Sequence, residues 1–283
     1  MKTTLAKSAG FCFGVKRAVD EVYKQIETGR KPVYTYGPVI HNEQVMSELE
    51  SKGVRVIHTE EELEDIHEGT IIIRAHGVPR RMQEKLESLG VDVVDTTCPF
   101  VKKIHRIAEK ETRQGKVLII AGDPRHPEVQ GIKGWAEGEV YIVENAEELA
   151  KIDIPREREV VLVAQTTFNM LKFQDIVDKI QKKYYNAYVG KTICSATADR
   201  QMEAGRIAAE VDAMIVIGGR HSSNTQKLYD ICKAKCKNTY FIETLVDLET
   251  KPFQSFCHVG ITAGASTPNK IIEEVTRKLC QKN

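Results

Sequence analysis

The chain has almost no net charge, few aromatic residues and no long apolar run. Its 41 Lys and Arg face 40 Asp and Glu, leaving a formal charge of +1 over 283 residues. So even a balance removes the general electrostatic reason to expect nucleic acid or an anionic membrane surface as a partner. No apolar stretch approaches the roughly 20 residues of a membrane-spanning helix. The opening residues include Lys2, Thr3, Thr4 and Lys7 and lack the apolar centre of a secretion signal. A cytoplasmic protein is therefore expected, and in that compartment its seven cysteines are not expected to pair as disulfides. Linkers and low-complexity segments are missing, as are the two commonest metal-binding cysteine patterns, C-x-x-C and the radical-type C-x-x-x-C-x-x-C. With 6% aromatic and 29% charged residues, the composition is that of an ordinary globular protein with a sizeable core or two to three small domains.

What is present is a repeat. Cys12 lies in Gly10-Phe11-Cys12-Phe13-Gly14-Val15, Cys98 in Asp95-Thr96-Thr97-Cys98-Pro99, and Cys194 in Thr192-Ile193-Cys194-Ser195-Ala196-Thr197. The first two are 86 positions apart and the second two 96. After each come a helical pattern, an apolar strand, and a glycine with a polar residue four positions on. These pairs are Gly37/His41, Gly122/His126 and Gly218/Ser222, and the polar residues fall 29, 28 and 28 positions after their cysteines. Spacing this regular points to one structural unit used three times.

Apolar strands alternate with amphipathic helices along the whole chain. Strands are expected at 33–36, 54–57, 70–74, 91–94, 116–121, 140–143, 160–164, 213–217, 239–242 and 258–262, and helices at 43–51, 80–89, 100–113, 171–184, 202–211, 225–235 and 270–279. Such alternation predicts right-handed β-α-β units on small, mainly parallel sheets. The second half of each unit also repeats, its strand running into Ala75-His76-Gly77, Gln165-Thr166-Thr167 or Ala263-Gly264-Ala265-Ser266. The last unit lacks a closing strand, which residues 2–6 are expected to supply. Three α/β units follow: 13–97, 98–193, and 194–283 together with 1–12. If the repeat closes, three thiols meet.

Three thiolates suit a cubane iron–sulfur cluster with one open iron, or a zinc with an open fourth position. Cys232 and Cys236 share a helix face, and Cys257 and Cys280 carry no motif; all four read as ordinary thiols. Ligands of parallel sheets collect at the carboxyl ends of strands, where helix N-termini present their N–H groups. This chain places His41-Asn42, His76, His126-Pro127-Glu128, Gln165-Thr166-Thr167, Ser222-Ser223-Asn224 and Ser266 there. These are mostly hydrogen-bond donors, a set suited to a diphosphate, although Ser, Thr and Asn in such places also serve as helix caps. Glu128 is the lone carboxylate, either a dipole-favoured helix-start residue or an acid and proton relay. A redox-silent iron–sulfur dehydratase and a zinc-bearing protein without catalysis are the other readings of these residues.

The same segments resemble one family closely. Gly10–Val15, Arg74-Ala75-His76-Gly77-Val78, Asp95–Pro99, His126-Pro127-Glu128-Val129, Gln165–Thr167, Ser222-Ser223-Asn224-Thr225 and Ile261–Ser266 are similar, in order and over nearly the whole chain, to the IspH/LytB family of 4-hydroxy-3-methylbut-2-enyl diphosphate reductases. The resemblance implies a trefoil-like fold of three pseudo-symmetric α/β units around a central iron–sulfur cluster. It implies one [4Fe–4S] cluster per chain, held by Cys12, Cys98 and Cys194, with the fourth iron open to the substrate hydroxyl. It implies substrate binding by His41, His76, His126, Thr166, Ser222, Ser223, Asn224 and Ser266, with Glu128, His126 and Thr166 as the catalytic group. The implied reaction is reductive removal of water, giving isopentenyl and dimethylallyl diphosphate in the last step of the methylerythritol phosphate route. Ferredoxin or flavodoxin is the implied electron donor to a monomer, with no nucleic acid or membrane partner.

Overall fold

The computed structural model describes residues 1–184, 186–249 and 255–281. The chain opens on strand β1 (Lys2–Leu5), which leads through Cys12 into helix α1 (Phe13–Thr28). Strands β2 (Val33–Tyr36), β3 (Val54–Ile57), β4 (Thr70–Ile73) and β5 (Asp92–Asp95) then form a sheet in the order β3-β2-β4-β5, with helices α2 (Glu43–Ser51) and α3 (Arg80–Ser88) between them. Helix α4 (Pro99–Arg113) follows Cys98. Next, β6 (Val117–Ala121), β7 (Val140–Val143), β8 (Val160–Ala164) and β9 (Tyr188–Val189) pair in the order β7-β6-β8-β9, with helices α5 (Pro127–Trp135), α6 (Ala146–Lys151) and α7 (Met170–Lys183) among them. After Cys194 come α8 (Ser195–Ala208), β10 (Ala213–Ile217), α9 (Ser223–Lys235), β11 (Thr239–Ile242), α10 (Leu245–Glu249), β12 (His258–Ala263) and α11 (Asn269–Gln281). Their sheet runs β1-β12-β10-β11, so β1 supplies the strand that the C-terminal segment lacks.

All the strand pairings are parallel. Each sheet has the same connectivity: an inner strand, an outer strand, the second inner strand, then the strand that runs toward a cysteine. Parallel sheets covered on both faces need strands that are apolar throughout. Val117-Leu118-Ile119-Ile120-Ala121, Val160-Val161-Leu162-Val163-Ala164 and Ala213-Met214-Ile215-Val216-Ile217 are buried at every position.

The chain divides into two compact units. One comprises Met1–Lys16, Ile40–Ser47 and Ser195–Asn283. On one face of its sheet Ile215, Ile217, Val259 and Ile261 pack with Val275 of α11. On the other, Met214 and Val216 pack with Ile207 of α8 and Leu228 of α9. The second unit comprises Arg17–Val39 and Glu48–Cys194 and holds the other two sheets. There Ile119 and Leu162 meet Ile176 of α7, Leu118 and Ile120 meet Ile104 of α4 and Val129 of α5, and Ile71 and Ile73 meet Leu86 of α3.

The largest departure from the sequence reading is α8. A helix was expected at 202–211, yet it starts at Ser195 and ends at Ala208. Its first turns bury Thr197, Arg200 and Gln201 rather than apolar residues, so the usual periodicity is missing where the helix begins. The two-residue strand β9 and the short helices α6 and α10 are likewise too brief to leave a periodic signal.

Candidate functional site

Each cysteine sits between a strand and the first turn of a helix, and its own amide makes the same bond. Cys12 N–H donates to Ala265 O at 3.2 Å, Cys98 N–H to Ala75 O at 2.9 Å and Cys194 N–H to Thr166 O at 3.1 Å. The three acceptors lie just past the ends of β12, β4 and β8. The carbonyls of Cys12 and Cys98 accept the first helical bonds, from Lys16 and Lys102 at 2.9 Å each. Pro99 occupies the first position of α4, where its missing N–H costs nothing. All three thiols are half-buried, whereas Cys232 and Cys236 are buried and Cys257 and Cys280 exposed. The Val15 amide points at Cys12 Sγ at 3.5 Å.

The amide register sharpens one equivalence. With Ala75, Thr166 and Ala265 as matching acceptors, the residues that follow them are His76, Thr167 and Ser266. Thr167, rather than Thr166, is thus the register partner of the other two. Each acceptor stands two residues past its strand end, a match that the adjacent pair Thr166-Thr167 leaves ambiguous in the sequence.

In the first unit, Ser222 caps α9, its Oγ accepting from Thr225 N–H at 3.3 Å. Asn42 caps α2 through Oδ1, 3.1 Å from Val45 N. A capping hydroxyl still has its own proton to donate. Ser266 Oγ donates to His41 O at 3.1 Å, which ties the two loops together. Gly219 permits this approach, since a Cβ there would stand 2.7 Å from His41 O. Ser223 Oγ receives a bond from Lys227 Nζ at 2.7 Å. Asn224 is only 4% exposed, yet neither its amide oxygen nor its nitrogen has a hydrogen-bond partner among the described residues. Leaving such a group unsatisfied costs on the order of 1–3 kcal/mol, which is a reason to look for a ligand. Arg220 turns away to Glu243, with Nε 3.2 Å from Oε2.

In the second unit, Glu128 is 1% exposed and lies in the first turn of α5. Thr166 grips its carboxylate twice, the backbone N–H donating to Oε1 at 2.6 Å and Oγ1 donating to Oε2 at 2.8 Å. His126 caps the same helix, with Nδ1 accepting from Glu128 N–H at 3.1 Å. In the neutral ring the proton therefore sits on Nε2. The His76 ring stands edge-on to that of His126, with centroids 5.3 Å apart. Glu128, His126, Thr166 and His76 thus form one group. Arg74 is half-buried, and burial lowers the affinity of its guanidinium for a proton.

The sequence reading gave His105 no role. It is 5% exposed, stacks on Trp135 at 5.3 Å, and fills the space that a side chain at Gly77 would need. Gly77 has φ +72°, which with the close imidazole leaves room for glycine alone. Trp135 Nε1 donates to Val78 O at 2.9 Å, and the Arg80 guanidinium lies over its ring at 5.1 Å. The turn bearing His76 is thereby packed against the helix bearing His126 and Glu128. Burial pushes the His105 imidazole down to about 4, with Asp95 opposing and Lys102 reinforcing the shift.

Comparison with known proteins adds a direct result. A family model described as LytB protein matches residues 3–280. A protein of Thermoanaerobacter sp. (strain X514), named 4-hydroxy-3-methylbut-2-enyl diphosphate reductase, is 46% identical over 281 residues, covering 99% of this chain and 96% of that one. A protein of the same name from Clostridioides difficile (strain 630) is 43% identical, covering 97% of this chain and 98% of the relative. The solved structure of the E-1-hydroxy-2-methyl-but-2-enyl-4-diphosphate reductase from Plasmodium falciparum superposes with a TM-score of 0.92 at 28% identity, covering 98% of this chain and 87% of that one. A second solved structure, of an (E)-4-hydroxy-3-methyl-but-2-enyl diphosphate reductase, is 40% identical with a TM-score of 0.72 and full coverage of both chains.

The depressed His105 pKa gives a signed pH prediction. The unfolded chain binds this proton near 6.5 and the folded chain near 4, so the contribution is complete above pH 6.5 and is lost as pH falls toward 4. The loss is on the order of 3 kcal/mol. Urea unfolding across that range should show a flatter pH dependence for His105→Phe, which keeps an aromatic ring on Trp135, than for the parent.

Proposed function

This chain belongs to the LytB family, and on that premise we propose that it converts 4-hydroxy-3-methylbut-2-enyl diphosphate to isopentenyl and dimethylallyl diphosphate by reductive dehydroxylation. Family membership makes it an oxidoreductase. The reaction takes two electrons and two protons, breaks the allylic C–O bond and releases water. The observation that carries the reading is the buried Glu128 carboxylate, held on both oxygens by Thr166 beside the His126 and His76 rings.

The residues assigned to metal binding are Cys12, Cys98 and Cys194, three half-buried thiols at three helix starts. Soft thiolates suit iron–sulfur chemistry, and three ligands for a four-iron cluster leave one iron open. A [4Fe–4S] cluster bound there supplies Lewis-acid and single-electron chemistry. The protein supplies the rest. Asn224, with its buried amide unpartnered among the described residues, joins His41, His76, Ser222, Ser223 and Ser266 as donors to the diphosphate. Helix N-termini at Ser222 and His126 add positive dipole ends.

Glu128 holds and delivers the protons. A carboxyl group gripped by Thr166 has a fixed orientation, which places its proton for transfer rather than leaving it to diffuse. His126 orients the first turn of α5 through Nδ1 and keeps Nε2–H as a donor. One proton accompanies the departing hydroxyl and the other reaches the allylic carbon skeleton; the end protonated decides between the two products.

We also read residues 13–97, 98–193, and 194–283 with 1–12 as three equivalent units, because the three sheets share one connectivity. Ferredoxin or flavodoxin is the proposed single-electron donor, acting on a monomer in the cytoplasm, where thiolates stay reduced. No helix among the described residues is long and apolar enough to cross a membrane.

Cys12→Ser, Cys98→Ser and Cys194→Ser are each expected to lose most iron and sulfide on anaerobic purification, while serine at Cys232, Cys236, Cys257 or Cys280 leaves both in place. A Cys232 variant that loses iron while Cys98→Ser retains it would overturn the assignment. Glu128→Gln is expected to keep its iron and bind substrate but to turn over about 10²-fold more slowly, the scale for a lost proton donor; turnover at the parent rate would reduce Glu128 to a helix-start residue. Asn224→Leu should weaken competition by inorganic diphosphate by ~1–3 kcal/mol without lowering the unfolding midpoint of the ligand-free protein. Unchanged diphosphate inhibition would remove Asn224 from the pocket.

A further inference from the structure

Two arginines, Arg17 half-buried and Arg200 buried, lie at similar places in the repeat. Arg17 is five positions after Cys12, on α1, and Arg200 is six positions after Cys194, on α8. Each reaches backbone carbonyls beside a different cysteine. Arg17 Nη2 donates to Thr96 O at 2.6 Å and to Thr97 O at 2.5 Å, the two carbonyls just before Cys98. Arg200 is 3% exposed; its Nη1 donates to Ala263 O at 2.7 Å and its Nη2 to Gly10 O at 3.0 Å. Gly10 lies two residues before Cys12, and Ala263 opens the turn whose Ala265 carbonyl accepts the Cys12 amide.

Burying a guanidinium is costly unless its donors are satisfied. Arg200 spans two carbonyls with the two terminal nitrogens of its planar fork, and Arg17 reaches two successive carbonyls through the two hydrogens of Nη2; both clamps act on the backbone that aims a thiol. Before Cys194, Thr192 Oγ1 donates to Ala164 O at 2.9 Å and accepts from Ala164 N–H at 2.7 Å.

We propose that Arg17 and Arg200 are positioning residues for the metal-binding thiols, each setting the direction of one of them: Arg17 that of Cys98, Arg200 that of Cys12. This rests on the cluster reading given above. Partners behind the direct ligands typically govern metal retention by about 10–100-fold, and these two act through the main chain.

The test is cysteine-resolved alkylation of the anaerobic, iron-loaded protein without chelator, read by mass spectrometry at times when the iron content is unchanged, so that labelling reports release of a single thiol rather than loss of the iron. In Arg17→Met, Cys98 should label about 10–100-fold faster than in the parent, with Cys12 unchanged. In Arg200→Met the selectivity should reverse. Arg200→Lys keeps the charge without the fork that spans two carbonyls, and Arg17→Lys keeps it on a shorter side chain, so both should fall between, and they carry the test where a Met variant fails to fold. Equal acceleration of both thiols, which general destabilisation would produce, or no acceleration of either, overturns the proposal. Failure of the underlying reading looks different: the parent's Cys12 and Cys98 would then label at the same rate with and without iron.

Discussion

One backbone hydrogen bond recurs three times and orders everything around it. The amides of Cys12, Cys98 and Cys194 donate to the carbonyls of Ala265, Ala75 and Thr166. At Cys98 and Cys194 the bond continues the parallel pairing past the strand ends, in the register of Thr96 N–H on Ile73 O and Gly190 N–H on Leu162 O. There a one-residue slip would move the cysteine off the turn and reverse every side chain of its strand. At Cys12 the register shifts: β1 pairs along β12 from Lys2 with His258 to Leu5 with Ile261, and the turn between Ala6 and Cys12 takes up two extra residues before the Cys12 amide meets Ala265 O. Chemistry-bearing residues can therefore come from distant parts of the sequence without long loops to hold them.

The polar groups that this scaffold buries are ones a stability-driven design would omit. The Asn224 amide has no hydrogen-bond partner among the described residues, His105 is held uncharged inside the protein, and Arg200 turns its guanidinium to carbonyls. Natural sequences depart from local consistency mainly at functional sites. Here the departures sit on the turns and helices that carry His76, Cys12 and the Ser222-Ser223-Asn224 loop, while the strands beneath are uniformly apolar. The scaffold supplies stability, and the polar inserts use part of it.

Much of this could be read from the sequence. The equal spacing of Cys12, Cys98 and Cys194 and the glycine–polar pairs showed the repeat, and the missing closing strand pointed to residues 2–6. Apolar five-residue runs such as Val117–Ala121 marked buried parallel strands directly. Legibility failed where burial was polar. Helix α8 was placed seven residues late because Thr197, Arg200 and Gln201 face inward. The Thr167 equivalence stayed hidden because Thr166 and Thr167 are adjacent and alike, and only the backbone bonds fix which one matches His76 and Ser266. His105, Arg17 and Arg200 look like ordinary surface-helix residues until the fold shows what they touch.

The central claim is that the three repeat-positioned thiols, and no others, hold one metal centre. Its most direct test is the alkylation pattern of the native, anaerobically purified parent protein before and after iron is removed. The account predicts that Cys12, Cys98 and Cys194 are protected while iron is bound and become reactive together when it leaves. The exposed Cys257 and Cys280 should label throughout, and the buried Cys232 and Cys236 should label only on unfolding. Full-rate labelling of any one of the three with iron in place, or iron removal that unmasks Cys232 and Cys236 instead, would contradict it.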